Sequence, residues 1–141
     1  MMDRRAVLLL PLLAACPALA QQQSPADFVR ALYAAHLPSL LPGNRSGGVM
    51  RHNVRPRWFA PELASRMGQM NYDPLANGND PDVQNLRVTD VSATVAEAAF
   101  TAYGDAMLLR YDLTRGPGGF RVRDIRYPDG RTLRRDLRMP G

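Results

Sequence analysis

The sequence predicts an α+β domain: two N-terminal helices packed on an antiparallel four-stranded meander. Three observations carry this expectation. A capped amphipathic segment begins at Ser24, a second apolar segment opens at Trp58, and from Leu86 onward the apolar residues recur with period two instead of three to four.

The first helix starts at Ser24-Pro25-Ala26-Asp27, where a serine N-cap precedes proline at the first helical position and an acid follows at the third. Phe28, Ala31, Leu32 and Ala35 then form the expected apolar stripe, and Pro38 ends the helix. From Leu37 to Arg57 breakers crowd the chain, including Pro38, Pro42, Gly43, Gly47, Gly48 and Pro56. A connection of that length is either a functional lid or a loose segment. Trp58-Phe59-Ala60-Pro61-Glu62-Leu63 opens the second helix, with Phe59, Leu63, Met67 and Met70 along one side and Gly68 weakening its last turn. Asn71 to Asn85 is a polar loop. Strands follow near Leu86 to Thr94, Ala98 to Tyr103, Ala106 to Thr114 and Phe120 to Tyr127, with turns at Ala96-Glu97, Gly104-Asp105 and Gly116-Pro117-Gly118-Gly119. In the third strand Met107, Leu109, Tyr111 and Leu113 alternate with Leu108, Arg110, Asp112 and Thr114, so one face is buried. Strict alternation in the fourth would expose Ile125 and bury Asp124, which predicts a bulge near Asp124. The tail after Pro128 reads as a mostly solvated edge.

Ahead of this domain, Arg4 and Arg5 precede an apolar run from Ala6 to Ala15, and Ala18-Leu19-Ala20 supplies the small-x-small site of an export signal. The run is about half of the ~20 residues that a membrane-crossing helix needs. The expected organisation is therefore a signal peptide over residues 1–20, a polar spacer over 21–23, one α+β domain over 24–137 and a tail over 138–141, in a periplasmic or secreted protein. Leu13-Ala14-Ala15-Cys16 offers a competing site: lipidation of Cys16 would anchor the domain to the envelope membrane. Cleavage after Ala20 is the favoured expectation, because Pro17 is an awkward residue directly after an acylated cysteine. Cys16 is the single cysteine, so an intramolecular disulfide is excluded and the domain must hold itself by packing. The formal net charge is +5 and every basic residue is arginine. An all-arginine set reads as codon bias in a GC-rich genome more than as selection for phosphate recognition, and so modest a charge mainly affects solubility and nonspecific contacts, so no nucleic-acid partner is expected.

Two helices followed by a curved antiparallel meander resemble the cone-shaped fold of the cystatin-like and nuclear transport factor 2-like superfamily. More narrowly, the chain resembles an exported bacterial family called domain of unknown function 3828. The likeness rests on the export signal, Trp58-Phe59-Ala60-Pro61-Glu62-Leu63, the Asp73-Pro74 to Asp80 loop, and Gly119-Phe120-Arg121-Val122-Arg123-Asp124-Ile125. Phe120 stands where that family often begins its last long strand with tryptophan. The resemblance implies a fold and a location, not a reaction. It also implies a cone whose open end can hold a pocket, where enzymes of the superfamily place an acid, a histidine or a tyrosine for proton transfer.

Candidate site residues follow from these readings. Tyr33, His36 and Tyr72, with Asp73 or Asp124, could supply acid and base chemistry. Tyr33 and His36 equally fit packing and the capping of free helix carbonyls at the end of the first helix. Asp73, Asn77, Asn79, Asp80 and Asp82 offer the oxygen ligands that calcium prefers, but without the spacing of an EF-hand. The same residues are those that turns use for backbone capping. His36 and His52 are the only histidines and neither sits in a nucleophile context, while Gly116-Pro117-Gly118-Gly119 lacks the lysine of a phosphate loop. Arg121, Arg123, Arg126, Arg131, Arg134 and Arg135 predict an exposed basic strip at the sheet edge. No catalytic, cofactor or metal motif stands out. The expectation is a noncatalytic domain that binds a small molecule or protein of the cell envelope, with Tyr33, Tyr72, Asp73, Asp80 and Asp82 as candidate binding residues. The alternatives are a small pocket enzyme of the same fold, or an immunity or inhibitor-type protein.

Overall fold

The computed structural model of this chain describes residues 23–140; the export segment with Cys16, and Gly141, lie outside the described residues. Helix α1, Pro25–His36, begins as its sequence dictates. The Ser24 hydroxyl accepts the Asp27 N–H at 3.1 Å, and the Asp27 carboxylate accepts the Ser24 N–H in return. Its buried face is Ala26, Phe28, Val29, Leu32, Tyr33 and His36, whereas Ala31 and Ala35 are exposed. The stripe is thus turned from the expected one, because burying a whole tyrosine and phenylalanine outweighs burying two methyl groups.

The connection after α1 is structured. Leu37–Leu40 and Gly48–Met50 form 3-10 turns, and Val49 is buried against the core. Gly48 has φ +53°, and a Cβ there would stand 2.4 Å from His36 Nδ1, so the close approach of this turn to α1 requires glycine.

The expected second helix is broken into α2, Arg55–Trp58, α3, Pro61–Ala64, and a 3-10 turn, Met67–Gln69. The cause is Pro61, which disfavours helical geometry at Ala60 and leaves it extended, with φ −54° and ψ 145°. The extended pair Phe59-Ala60 pairs with the last strand: Phe59 bridges Val122 in parallel, and the Ala60 N–H donates to the Val122 carbonyl at 2.9 Å. Phe59, Leu63 and Met67 are still buried together.

The sheet is a four-stranded antiparallel meander of β1 Gln84–Ser92, β2 Val95–Ala102, β3 Asp105–Gly116 and β4 Gly119–Arg126. The first turn lies at Ala93-Thr94, earlier than expected, because Ala96 is a fully buried strand residue that faces Tyr111. Leu109, Tyr111 and Leu113 are buried as the alternation predicts. Asp112 lies opposite Asp124 and Leu113 opposite Val122, which makes Arg123 an inserted residue. This bulge turns both Val122 and Ile125 into the core. It is held by Asp124 Oδ1, which accepts the N–H groups of Ile125 and Arg134, each at 2.9 Å.

The tail is not a solvated edge. Thr132 bridges Arg126 and caps helix α4, Leu133–Asp136, whose Leu133 is fully buried. The expected basic strip is broken by the same feature. Arg134 is buried with Nε donating to the Pro140 carbonyl, and Arg131 is drawn over Tyr127 with its Cζ 4.9 Å from the ring centre.

The loop between the helical half and the sheet also enters the core. Pro74, Leu75 and Ala76 are buried, with Leu75 wholly so, and the loop turns at Asn77-Gly78 to come back beside Asp73. Leu75 therefore acts as a plug of the core and not as a loop residue. Leu75→Ala should lower unfolding free energy by about 3 kcal/mol in a denaturant titration, as a core leucine does. Asn79→Ala, on the exposed side of the loop, should stay within about 0.5 kcal/mol of the parent. Equal effects of the two would contradict the plug.

Candidate functional site

Five buried or half-buried polar side chains organise the 73–78 turn. The Tyr33 hydroxyl donates to the Leu75 carbonyl at 2.7 Å and accepts from the Tyr111 hydroxyl at 2.8 Å. The Tyr127 hydroxyl donates to the Pro74 carbonyl at 3.0 Å. Asp73 Oδ1 accepts the Leu75 N–H at 2.9 Å, and Oδ2 stands 2.6 Å from His36 Nε2. The tautomer of His36 follows from its other side: the Val49 N–H can only donate, and it meets Nδ1 at 3.2 Å. Nδ1 therefore carries the lone pair, and Nε2–H donates to Asp73. His36 thus does not cap the end of α1; the Ser39 hydroxyl does, donating to the His36 carbonyl at 2.6 Å.

The acids of the loop separate. Asp73 goes to His36, whereas Asp82 accepts the Tyr103 N–H at 2.9 Å and Asp80 hydrogen-bonds the Tyr103 hydroxyl at the β2–β3 turn. The Tyr103 N–H and Gln84 hold the exposed Asp82 carboxyl below the usual range. Among the described residues, no group of three or more histidine, cysteine or acidic side chains could hold a metal ion. The Asp73 to Gly78 segment is a backbone-capping turn, with Asn77 in the left-handed region at φ 56°. Tyr72 lies on the outside of this assembly, donating its hydroxyl to Asp136 and packing edge-on against Tyr127. Arg131 ties the turn to the tail, reaching Asp129 at 2.7 Å, Asp136 at 2.8 Å and the Asn77 side-chain oxygen at 2.6 Å.

An open cleft of about 620 Å³ lies beside the plug. The 3-10 turns supply Ser39 and Met50 to one wall, and the link between them supplies Arg45. Arg55, Met67, Met70, Tyr72 and Asp73 contribute the rest, with His36 between them. Of the candidate residues read from the sequence, Tyr72, Asp73 and His36 meet in this cleft. Tyr33 is sealed in the core, Asp80 and Asp82 belong to another corner, and Asp124 holds the β4 bulge. Arg45 and Arg55 were not legible as site residues, since two arginines in a breaker-rich connection look like any of the eighteen.

The tyrosines are not proton carriers near neutrality. Burial raises Tyr33, Tyr111 and Tyr127 well above the ordinary phenol range. Burial first, then the hydrogen bond to Asp136, pushes Tyr72 up to about 12. Asp80 raises Tyr103.

No protein-family model matches the chain, and no curated protein matches it. Among solved structures, it is similar to a phospholipid-binding protein from Ralstonia solanacearum, determined in complex with a phospholipid. The two share 16% identity over 81% of this chain and 83% of that one, with a TM-score of 0.54. The likeness is one of fold.

The raised phenols set the alkaline limit of the fold. Each is neutral when folded and has a pKa above the ~10 of an unfolded chain, so between about 10 and 12 the folded state holds more protons. Stability is whole below ~10 and falls as pH rises toward the folded values. In an alkaline titration, tyrosinate absorbance should rise together with cooperative loss of circular dichroism. Ionisation of all five phenols near ~10 with the fold intact would contradict this.

Proposed function

We propose that the chain is an exported bacterial envelope protein whose domain, a cystatin-like or nuclear transport factor 2-like cone akin to domain of unknown function 3828, binds a ligand without transforming it. The observation that carries this reading is the open cleft of about 620 Å³ whose proton-handling side chains are already engaged inside the protein. His36 and Asp73 have the spacing of an acid/base pair. Yet both imidazole nitrogens are occupied, by Asp73 and by the Val49 N–H, and both Asp73 oxygens are occupied, by His36 and by the Leu75 N–H. No lone pair of the imidazole is free for a substrate proton, which disfavours the pocket-enzyme reading. The similar protein from Ralstonia solanacearum, described as phospholipid-binding, supports a small-molecule or lipid ligand of the envelope. The interior of this domain is packed with Tyr33, Phe59, Leu75, Tyr111 and Phe120, so the ligand site is the cleft beside the plug and not the centre of the cone.

Native mass spectrometry of the full chain produced in a bacterial host and recovered from its envelope tests the reading. The expected species is a mature chain beginning at Gln21 that carries a noncovalent small molecule, released on denaturation. A chain beginning at Cys16 with added acyl mass would replace the free periplasmic form by the anchored one. Retention of Met1 in the cytoplasm would overturn export, and a mature chain that carries nothing and is retained by no envelope component would overturn the binding role.

A further inference from the structure

We propose that the cleft is an anion site that takes a phosphate group, with Arg55 as its central charge; this rests on the ligand-binding reading and specifies its ligand. Arg55 is only 7% exposed, and yet no carboxylate stands within ion-pair distance of it among the described residues. Its NH1 donates to the Ala64 carbonyl at 3.2 Å and its NH2 lies 3.3 Å from His52 Nδ1, neither of which supplies a negative charge. Its Nε is buried without a hydrogen-bond partner among the described residues. Burying a cation without a counter-charge is unfavourable, and a ligand that supplies the missing charge offsets that cost. A guanidinium has the planar fork that matches phosphate oxygens.

The surroundings support the assignment. Arg45 lines the same cleft and brings a second guanidinium. Gly68 lies against Arg55: a Cβ there would sit 3.3 Å from NH1, so a larger residue would press on the charged head. Asp73 is the acid in the lining, but its two oxygens are already satisfied by His36 and the Leu75 N–H. With both arginines charged and His36 neutral, the lining carries a net charge of +1, which suits a phosphate group bearing one or two negative charges. The group can belong to free phosphate or to a lipid headgroup, and the packed core directs recognition to the phosphate in either case.

Calorimetric titration of the full mature protein with inorganic phosphate, at ionic strength matched with chloride, is the first arm. Flotation with phosphatidylglycerol vesicles, with phosphatidylcholine vesicles as the control, is the second. Saturable phosphate binding is expected, weakened about tenfold or more in Arg55→Met. Arg55→Met should be at least as stable as the parent without phosphate, since it removes an uncompensated buried charge. Arg45→Gln, which alters a more exposed lining residue, should weaken binding several-fold with the fold kept and keeps the test decisive if Arg55→Met does not fold. Vesicle retention that phosphate competes away and Arg55→Met abolishes identifies the lipid headgroup as the source; phosphate binding without retention identifies the free anion. No heat with phosphate, together with vesicle retention indifferent to both variants, overturns the anion site. A neutral molecule found on the native protein would then leave the binding role standing, and a protein that carries nothing would end both.

Discussion

Buried carbonyl oxygens need donors, and the carbonyls of Pro74 and Leu75 get theirs from the hydroxyls of Tyr127 and Tyr33. Without those two phenols, the 73–78 turn could not leave water, because each unpaired buried acceptor costs about 1–3 kcal/mol. With them, Leu75 fills the space between α1 and the sheet, and the turn links elements far apart in the chain. Tyr33 comes from α1, Tyr111 from β3, and Tyr127 from the end of β4. The same turn aligns Asp73 with His36, which in turn receives the Val49 N–H and so fixes the preceding connection. A polar network of this kind stabilises only when every member is satisfied. Among these atoms, each donor has an acceptor.

The plug also decides where the domain can meet a ligand. The aromatic side chains that would line an open cone are packed on one another: Tyr33 lies 6.0 Å from Tyr111 and 6.2 Å from Phe100, and Phe28 lies 5.5 Å from Trp58 and 5.9 Å from Phe120. The recognition proposed for this domain therefore falls to the cleft between the 3-10 turns and the outer side of the plug. There the charge of Arg55 stands uncompensated, in contrast to Arg131, whose guanidinium reaches Asp129, Asp136 and Asn77. The two arginines separate the work of holding the fold from the work proposed for the cleft.

How much of this was legible in the sequence follows from the range of the forces involved. The α1 start was legible because its cap lies within three residues, and the strands because alternation is local. The β4 bulge was legible because Ile125 could reach the core only if an extra residue shifted the register. The broken second helix was misread: Phe59, Leu63, Met67 and Met70 do carry a helical spacing, but Pro61 extends Ala60, and pairing with Val122 completes the break. The stripe of α1 was misread because alanines satisfy either face, and only the docking of Tyr33 chooses. The site was half legible. Asp73 and His36 drew notice as chemical residue types, but their pairing depends on a fold that brings residues 37 positions apart together. Arg55 carries no local signal at all; its burial without a counter-charge exists only in three dimensions.

The central claim is that the 73–78 turn is part of the cooperative core. Native-state hydrogen exchange tests it most directly, since the Asp73, Leu75 and Asn77 N–H groups are bonded within the turn at 2.9, 2.9 and 2.8 Å. The account predicts that these amides exchange only through global unfolding, with the same free energy as the β3 and β4 amides of Leu109 and Val122. Exchange of the three at the rate of an open surface loop, while the strands remain protected, would contradict it.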